Sequence, residues 1–206
     1  PRLDADREQI LDEWSSTSQP VEIATEPSAQ PLAGLKVLDL AWVVAGPLIG
    51  RNLADYGATV IRIESAKRVE TARLMGPFPA GEYDVQRSAL YETCNAGKLG
   101  LSLDLSKPEA RDIVRSLARW ADVLVESFTP GQMARWGLSY DELAKDNPGL
   151  VMVSTSLTGQ SGPFASYSGY GNHGAAIAGF QNLVGMEGAT PVGPYGPYTD
   201  FVAPRF

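Results

Sequence analysis

Residues 35–64 alternate between strand and helix patterns, and this alternation constrains the fold more than any other feature of the chain. LKVLDLA at 35–41 and ATVIRIE at 58–64 are rich in branched apolar residues, which is typical of buried strands. GPLIGRNLADYG at 46–57 predicts a helix, with Pro47 in its first turn and Gly57 past its end. Strand, helix and strand with short connections predict a right-handed βαβ unit.

The same alternation continues towards residue 157. Apolar runs predict three more strands, at 99–105, 123–127 and 150–157. Two S-x-x-E capping boxes predict helix starts, Ser106 with Glu109 and Ser139 with Glu142. Residues 65–97 are expected to be irregular. Five strands alternating with helices predict an α/β domain with a Rossmann-like parallel sheet and flanking helices.

The segment before this domain differs in composition. Residues 4–14 begin with acidic residues and carry apolar residues at helical spacing, so they predict a short amphipathic helix. Residues 15–31 contain Ser, Thr, Gln, Glu and three prolines, which predict a semi-extended linker. The chain starts at Pro1 and stops after DFVAPRF, and we expect it to be a piece of something longer.

Charge and composition argue against several classes of partner. The formal charge of −7 is unlike that of a nucleic-acid-binding surface, which needs clustered Lys and Arg. The single cysteine, Cys94, has no partner for an internal disulfide, so we expect a reducing, cytoplasmic location. No apolar run approaches the roughly 18 residues of a membrane span, and the first residues are unlike a signal peptide, so we expect no membrane partner.

Common cofactor motifs are missing from the sequence. The first turn after a strand has G-x-x-x-G from Gly46 to Gly50 instead of the G-x-G-x-x-G of dinucleotide-binding folds. Glu64 does end the second strand, where a ribose-binding acid would lie. One histidine, His173, and one cysteine leave few metal ligands, so we expect no metal. There is no phosphate-binding P-loop, and GQSGP at 159–163 is not a serine nucleophile elbow.

Asp200 is the remaining candidate for chemistry. It follows a segment rich in Tyr and Pro and precedes an apolar one. An aspartate beside Thr and Pro is ordinarily a turn or capping residue. The alternative is a carboxylate nucleophile in a partly apolar pocket, where desolvation would increase its reactivity. The residues alone favour the first interpretation.

Four segments together resemble the family III CoA-transferases, the group of the formyl-CoA, carnitine and bile-acid-inducible CoA-transferases. They are PLAGLKVLDLAWVVAGPLIGRNLADYGATVIRIE, NAGKLGLSLDLSKPEARDIVRSLARWADVLVESFTPGQMARWGL, LVMVSTSLTGQSGPFASYSGYG and GPYTDFVAP, in order over 31–206. The resemblance implies exchange of coenzyme A between an acyl-CoA and a carboxylic acid, with Asp200 as the nucleophile that forms an aspartyl-CoA thioester.

The resemblance also implies a set of CoA contacts. Val44 and Ala45 would line the CoA channel through their backbone, and Tyr170 would lie near the pantetheine thiol. The other positions that match the family's CoA site are Ser65, Leu103, Asp104, Ser106, Ser127, Phe128, Thr129 and Arg135. Val44, Leu103 and Phe128 are equally compatible with core positions, and Arg135 with a solvated helix charge.

Three of these positions depart from the family pattern. Ser65 replaces a frequent Arg, Ser127 an Asn, and Gly171 an acidic residue, so each loses polar reach. Lys67 or Arg68 is expected to substitute at the nucleotide end. Because CoA is anionic, local basic residues must offset the net charge, and the candidates are Lys67, Arg68, Lys98, Lys107 and Arg135.

The family's chains are about twice as long and resemble interlocked rings that form dimers. Their glycine-rich loop over the aspartyl intermediate lies in the half that has no counterpart in these 206 residues. Residues 1–14 resemble the closing element of such a module. The expected organisation is therefore the end of one module at 1–14, a linker at 15–31 and the incomplete start of a second at 32–206, completed by the rest of the module or by a companion chain in a homodimer or tandem pseudo-dimer.

Three rival functions stay open from the sequence. An acyl-CoA α-carbon racemase shares the fold and uses a His and Asp pair, for which His173 is the candidate base. The lost polar side chains also suit a non-catalytic CoA-binding module of a tandem or hetero-oligomeric protein. A nicotinamide-dependent dehydrogenase is a distant third, since the glycine fingerprint is missing.

Overall fold

The computed structural model describes residues 30–206. In this range five parallel strands form one sheet, in the order β3-β2-β1-β4-β5. The strands are β1 Lys36–Asp39, β2 Thr59–Glu64, β3 Leu99–Ser102, β4 Val123–Glu126 and β5 Val151–Ser154. The α/β fold with a Rossmann-like parallel sheet is confirmed. The predicted helix at 4–14 and residues 15–29 of the linker lie outside the described residues.

Helices connect the strands and follow the sheet. They are α1 Ala45–Asp55, α2 Ala89–Asn95, α3 Pro108–Trp120, α4 Gln132–Arg135, α5 Tyr140–Leu143, α6 Gly171–Ile177, α7 Phe180–Leu183 and α8 Tyr198–Val202. Short 3₁₀ turns occupy Thr71–Leu74, Pro79–Gly81 and Ala203–Arg205. Gly57 lies just past the end of α1, as predicted, and has a φ of +105°, a backbone conformation that glycine adopts readily.

Both faces of the sheet are covered. Leu38 and Leu124 point to one face, where they pack with Val114 of α3. Val37 and Val125 point to the other face and pack against a cluster that includes Leu53 of α1. Alternation of side chains along each strand therefore supplies two apolar surfaces, as a parallel sheet requires.

Of the two predicted helix starts, one was wrong and one is confirmed. Ser106 does not begin α3: Lys107 is the N-cap residue, and Pro108 takes the first helical position. A residue that precedes proline avoids helical geometry, so Lys107 has to stay extended. At α5 the predicted start is confirmed, because Ser139 is the N-cap residue, although its side chain makes no cap hydrogen bond.

The segment 65–97 is also more ordered than its sequence indicates. It contains two 3₁₀ turns and α2. The Ser88 hydroxyl accepts a hydrogen bond from the Tyr91 N–H at 3.2 Å and caps the start of α2. This serine is the signal that could have located the helix, because Ser is a preferred N-cap residue.

Candidate active site

A cleft of about 720 Å³ lies where the strand order reverses, beyond the carboxyl ends of β1 and β4. Ligands of open α/β sheets bind at this switch point. The turns after β1, β4 and β5 form part of its wall, and α6 and α8 contribute Gly174 and Asp200. The cleft brings together seven of the predicted site residues: Val44, Ala45, Ser127, Phe128, Thr129, Tyr170 and Asp200.

Asp200 lies in the first turn of the short helix α8 and is half-buried. Its Oδ2 accepts a hydrogen bond from the Gly171 N–H at 3.0 Å. Burial raises the pKa of Asp200, and the Gly171 bond opposes that rise. Phe201, the next residue, packs against Val44, Leu48 and Cys94, which anchors α8 to the α1 side of the cleft.

Gly171 makes room for the Asp200 carboxyl group. A Cβ at residue 171 would lie 2.8 Å from Asp200 Cγ and 2.9 Å from its Oδ1, and both distances are shorter than the contacts that Cβ atoms make in proteins. Thr199 Oγ1 donates to the Gly171 carbonyl at 2.8 Å, so α6 and α8 are joined on both sides of this contact. The Asp200 carboxyl group can therefore pack here only because residue 171 has no side chain. The sequence interpretation, in which Gly171 only loses a polar side chain, was incomplete.

Tyr170 and His173 have different positions around α6. The Tyr170 side chain is exposed and lines the cleft. The Tyr170 N–H donates to His173 Nδ1 at 3.2 Å, so His173 caps the start of the helix. Residues 171–177 are helical, as the racemase alternative requires, but one His173 nitrogen is occupied by this backbone bond.

The turn after β1 lines the cleft with residues 42–46. Val44 borders the cleft but is only 3% exposed, and it packs with Leu48 and Cys94. Ala45 begins α1, an 11-residue helix, whose first N–H groups favour an anion at this end. Val43 has a φ of +68°, which strains a β-branched residue.

The turn after β4 forms a second wall of the cleft and is tied to the first. The Trp42 N–H donates to Ser127 Oγ at 2.7 Å. The Phe128 ring packs edge-on against Trp136 at 5.0 Å, and the Phe128 N–H donates to Glu126 at 2.7 Å. Burial raises the pKa of Glu126, which Ser154 and the Phe128 N–H oppose. Ser127 thus serves as an acceptor between the two turns, and Thr129 is exposed at the rim.

Five predicted residues do not line the cleft. Ser65, Leu103, Asp104 and Ser106 follow the ends of the neighbouring strands β2 and β3. Arg135 is exposed on α4, where its guanidinium donates to Gln132 Oε1 at 2.7 Å. Their CoA contacts stay predictions.

The loop after β2 carries two basic residues, one at the cleft and one near the residues that follow β3. Arg68 lines the cleft, with its guanidinium carbon 5.1 Å from the centre of the Trp42 ring. Lys67 Nζ lies 3.9 Å from Asp104 Oδ2, and Ser106 Oγ donates to Asp104 Oδ1 at 2.7 Å. Lys67 and Arg68 are both exposed, so both are available to an anionic ligand.

Lys98 is not available to a ligand, contrary to the sequence prediction. Its side chain is 1% exposed, and Nζ lies 2.6 Å from Asp39 Oδ2. Burial lowers the pKa of Lys98, and Asp39 opposes that shift. Lys98 belongs to a buried group of charges, Asp39, Arg62, Glu70 and Lys98, that sequence reasoning missed. The signal was present as charged residues inside the apolar runs VLDLA and VIRIE.

Glu64 is occupied by a second ion pair. Its two carboxylate oxygens accept from Arg73 Nε and a terminal Arg73 nitrogen, each at 2.8 Å, and Tyr91 Oη also donates to it. Burial would raise the pKa of Glu64, but these bonds outweigh it and lower the pKa. The ribose-binding interpretation of Glu64 therefore has no support from its contacts.

Residues 30–206 contain neither a candidate metal site nor a candidate membrane-spanning helix. No cluster of three or more His, Cys, Asp or Glu side chains with the geometry of a metal site occurs there. No helix in that range has the length and apolar character needed to cross a membrane.

A Rossmann-like parallel sheet with a cleft at its switch point defines an α/β domain of the class that binds ligands at this place. The family model "CoA-transferase family III" matches residues 32–206, and the chain belongs to this family.

Similar proteins carry CoA-transferase names. The chain is 39% identical over 137 residues to the succinate–glutarate CoA-transferase of Agrobacterium fabrum, which covers 66% of this chain and 34% of that protein. It is 40% identical over 135 residues to the acetyl-CoA:oxalate CoA-transferase of Acetobacter aceti, covering 66% and 33%. The chain thus spans about a third of the length of these curated relatives.

Solved structures share the fold. A CaiB/BaiF family protein from Brucella suis superposes with a TM-score of 0.75 at 33% identity, covering 85% of this chain and 48% of that one. Rv3272 from Mycobacterium tuberculosis superposes with a TM-score of 0.75 at 32% identity, covering 87% and 47%.

Proposed function

We propose that the protein containing this chain transfers CoA from an acyl-CoA to a carboxylic acid through an aspartyl-CoA thioester on Asp200. The observation that carries the proposal is the half-buried Asp200 carboxyl group, oriented by the Gly171 N–H at the switch-point cleft. Partial desolvation makes a carboxylate a better nucleophile. The CoA-transferase names of the relatives agree with this chemistry.

The first half of the reaction forms the covalent intermediate. An Asp200 oxygen attacks the thioester carbonyl of the donor, and CoA leaves as a thiolate. The product is a mixed anhydride between the donor acyl group and Asp200. The CoA thiolate then attacks the aspartyl carbonyl carbon, which releases the donor as a carboxylate and leaves CoA on Asp200. Covalent catalysis in this form divides one difficult exchange into easier steps.

The second half repeats these steps with the acceptor. The acceptor carboxylate attacks the aspartyl-CoA carbonyl and expels the CoA thiolate, which gives a second mixed anhydride. The thiolate attacks the acceptor carbonyl of this anhydride, forming acceptor-CoA and regenerating the Asp200 carboxylate. No proton is gained or lost overall. Water must be kept from both anhydrides, because hydrolysis would waste the thioester energy.

The cleft suggests how CoA lies on the sheet. We place the thiol arm against the turns after β1 and β4, along Val44, Ala45 and Ser127, which line the same cleft as Asp200. The nucleotide end then extends towards β2 and β3, where Ser65, Leu103, Asp104 and Ser106 lie. Lys67 and Arg68 stand between the two ends, and their charges suit phosphate groups.

Residues beyond 30–206 are proposed to complete the acyl site, either from the rest of a module or from a companion chain in a dimer. Large apolar side chains between α6 and α8 support this, since Leu183, Met186 and Tyr195 are 81%, 83% and 104% exposed. Two relatives are themselves named as subunits, the L-malate CoA-transferase beta subunit of Chloroflexus aurantiacus and the benzylsuccinate CoA-transferase subunit of Thauera aromatica. The cytoplasmic location stays a prediction.

The test is an exchange assay on the intact protein with acyl-CoA donors and isotopically labelled carboxylic acids. Succinyl-CoA and acetyl-CoA are suitable donors, with glutarate and oxalate as acceptors. We expect labelled acceptor-CoA and the parallel double-reciprocal lines of ping-pong kinetics. Solvent deuterium at the α-carbon without any acceptor would instead identify a racemase, and CoA binding without turnover a non-catalytic module.

A further inference from the structure

Four charged side chains lie buried together behind the turn after β1. Asp39, Arg62, Glu70 and Lys98 are each at most 1% exposed. Arg62 lies beside Asp39 in the register of β1 and β2, with NH1 3.3 Å from Asp39 Oδ1 and NH2 3.2 Å from Glu70 Oε2. Lys98 completes the group on the other Asp39 oxygen. Two acids and two bases leave it without net charge.

The group makes several contacts with the backbone of one segment. Asp39 Oδ1 accepts from the Ala41 N–H at 2.9 Å, and Arg62 donates to the Ala41 carbonyl. Glu70 Oε1 accepts from the Val43 N–H at 2.9 Å. Lys98 Nζ donates to the Pro47 carbonyl at 2.6 Å. Each of the four charges thus holds the β1–α1 turn directly or through a neighbour.

Stability alone does not account for this arrangement. Buried ion pairs are often no more stabilising than apolar residues of the same volume, because removing charges from water is unfavourable. The turn that they hold contains Val43 at a φ of +68°. This left-handed conformation is unfavourable for valine and needs other contacts to stabilise it. The same turn, residues 42–46, lines the cleft.

We propose that Glu70, together with Arg62, is a positioning residue that fixes the turn at 42–46 in the shape that receives the acyl-CoA. Glu70 does not line the cleft, and it acts through the Val43 N–H. Because the turn is already fixed in the free protein, less conformational entropy is lost when the ligand binds. The part of this inference that concerns acyl-CoA rests on the proposed function.

The test compares Glu70→Ala, Glu70→Gln and Asn147→Ala in the intact protein. Gln keeps an acceptor for the Val43 N–H without the charge. Asn147→Ala is the matched control, because its Nδ2 donates to the carbonyls of Ala118 and Ala121 at 3.0 and 2.8 Å, away from the cleft. The readouts are amide hydrogen exchange of the peptide covering 41–46 and the kinetic constants for acyl-CoA.

We expect Glu70→Ala to speed amide exchange in 41–46. It should also raise KM for acyl-CoA about tenfold with kcat nearly unchanged, because it removes one charged hydrogen bond that acts in binding. Glu70→Gln should lie between wild type and Glu70→Ala in both readouts, and it carries the test if the alanine variant does not fold. Asn147→Ala should lower the melting temperature without changing either readout.

Unchanged exchange in 41–46 would overturn the positioning role, whether or not the protein transfers CoA. Faster exchange with an unchanged KM would overturn the link between this turn and acyl-CoA. If the wild type neither binds nor transfers CoA while Glu70→Ala still loosens 41–46, the proposed function fails and the positioning of the turn stands.

Discussion

Asp39 and Glu70 behind the β1 turn and Asp200 at the cleft are carboxylates held in different ways. The first two are fully buried, paired with Arg62 and Lys98, and bonded to backbone N–H groups. Asp200 is half-buried on a five-residue helix, and one hydrogen bond, from Gly171, orients it. Paired carboxylates keep a backbone in place, whereas a carboxylate with few partners and a raised pKa is available to react.

The largest expected effect is on catalysis. Asp200→Asn keeps the size and the acceptor for Gly171 but removes the nucleophile, so we expect CoA transfer to fall by a factor of about 10⁴ or more. Asp112→Asn, an exposed position on α3, is the control and should leave the rate unchanged. A transfer rate for Asp200→Asn within about tenfold of wild type would contradict the covalent role.

The next effect is on stability. Arg62→Met leaves Glu70 buried without its cation, so we expect a loss of about 3–5 kcal/mol in the free energy of unfolding. Urea unfolding measures it. Adding Glu70→Gln to Arg62→Met removes the unpaired charge and should restore part of the loss. A double variant less stable than Arg62→Met would show that the unpaired charge of Glu70 is not the cause of the lost stability.

A smaller effect is expected at the contact between α6 and α8. In Gly171→Ala, the added Cβ has to displace the Asp200 carboxyl group. A displacement near 1 Å lowers the rate about 10²-fold. Gly100→Ala is the matched control, because a Cβ at Gly100 meets nothing within 4 Å. Rate assays on both variants check the expectation, which equal rates would refute.

The smallest effect concerns pH. Burial raises the pKa of Asp200, so the folded protein favours the protonated carboxyl group. The raised pKa therefore contributes to the free energy of unfolding. This contribution is complete below the ordinary pKa of 3.8 and is lost as pH rises through the pKa of the folded protein. Asp200→Asn cannot ionise. The melting temperature of Asp200→Asn relative to wild type should therefore increase with pH across this window, as thermal unfolding at several pH values will measure. A constant difference would mean that Asp200 titrates as an ordinary aspartate.

Much of the fold could be predicted because apolar runs such as LKVLDLA and ATVIRIE are local signals. The charges within those runs, Asp39 and Arg62, also marked the buried group, but their partners Glu70 and Lys98 come from separate segments that no local pattern connects. For the same reason Gly171 was undervalued: its contact with Asp200 joins residues 29 positions apart. The position of Asp200 rested on the family resemblance, because a lone aspartate carries no periodic signal.

Trapping of the covalent intermediate tests the central claim most directly. The intact protein is incubated with an acyl-CoA and hydroxylamine, digested, and analysed by peptide mass spectrometry, with Asp200→Asn as the control. We predict a hydroxamate on Asp200 that requires the acyl-CoA and is missing from the control. An unmodified Asp200 in a preparation that transfers CoA would contradict the account.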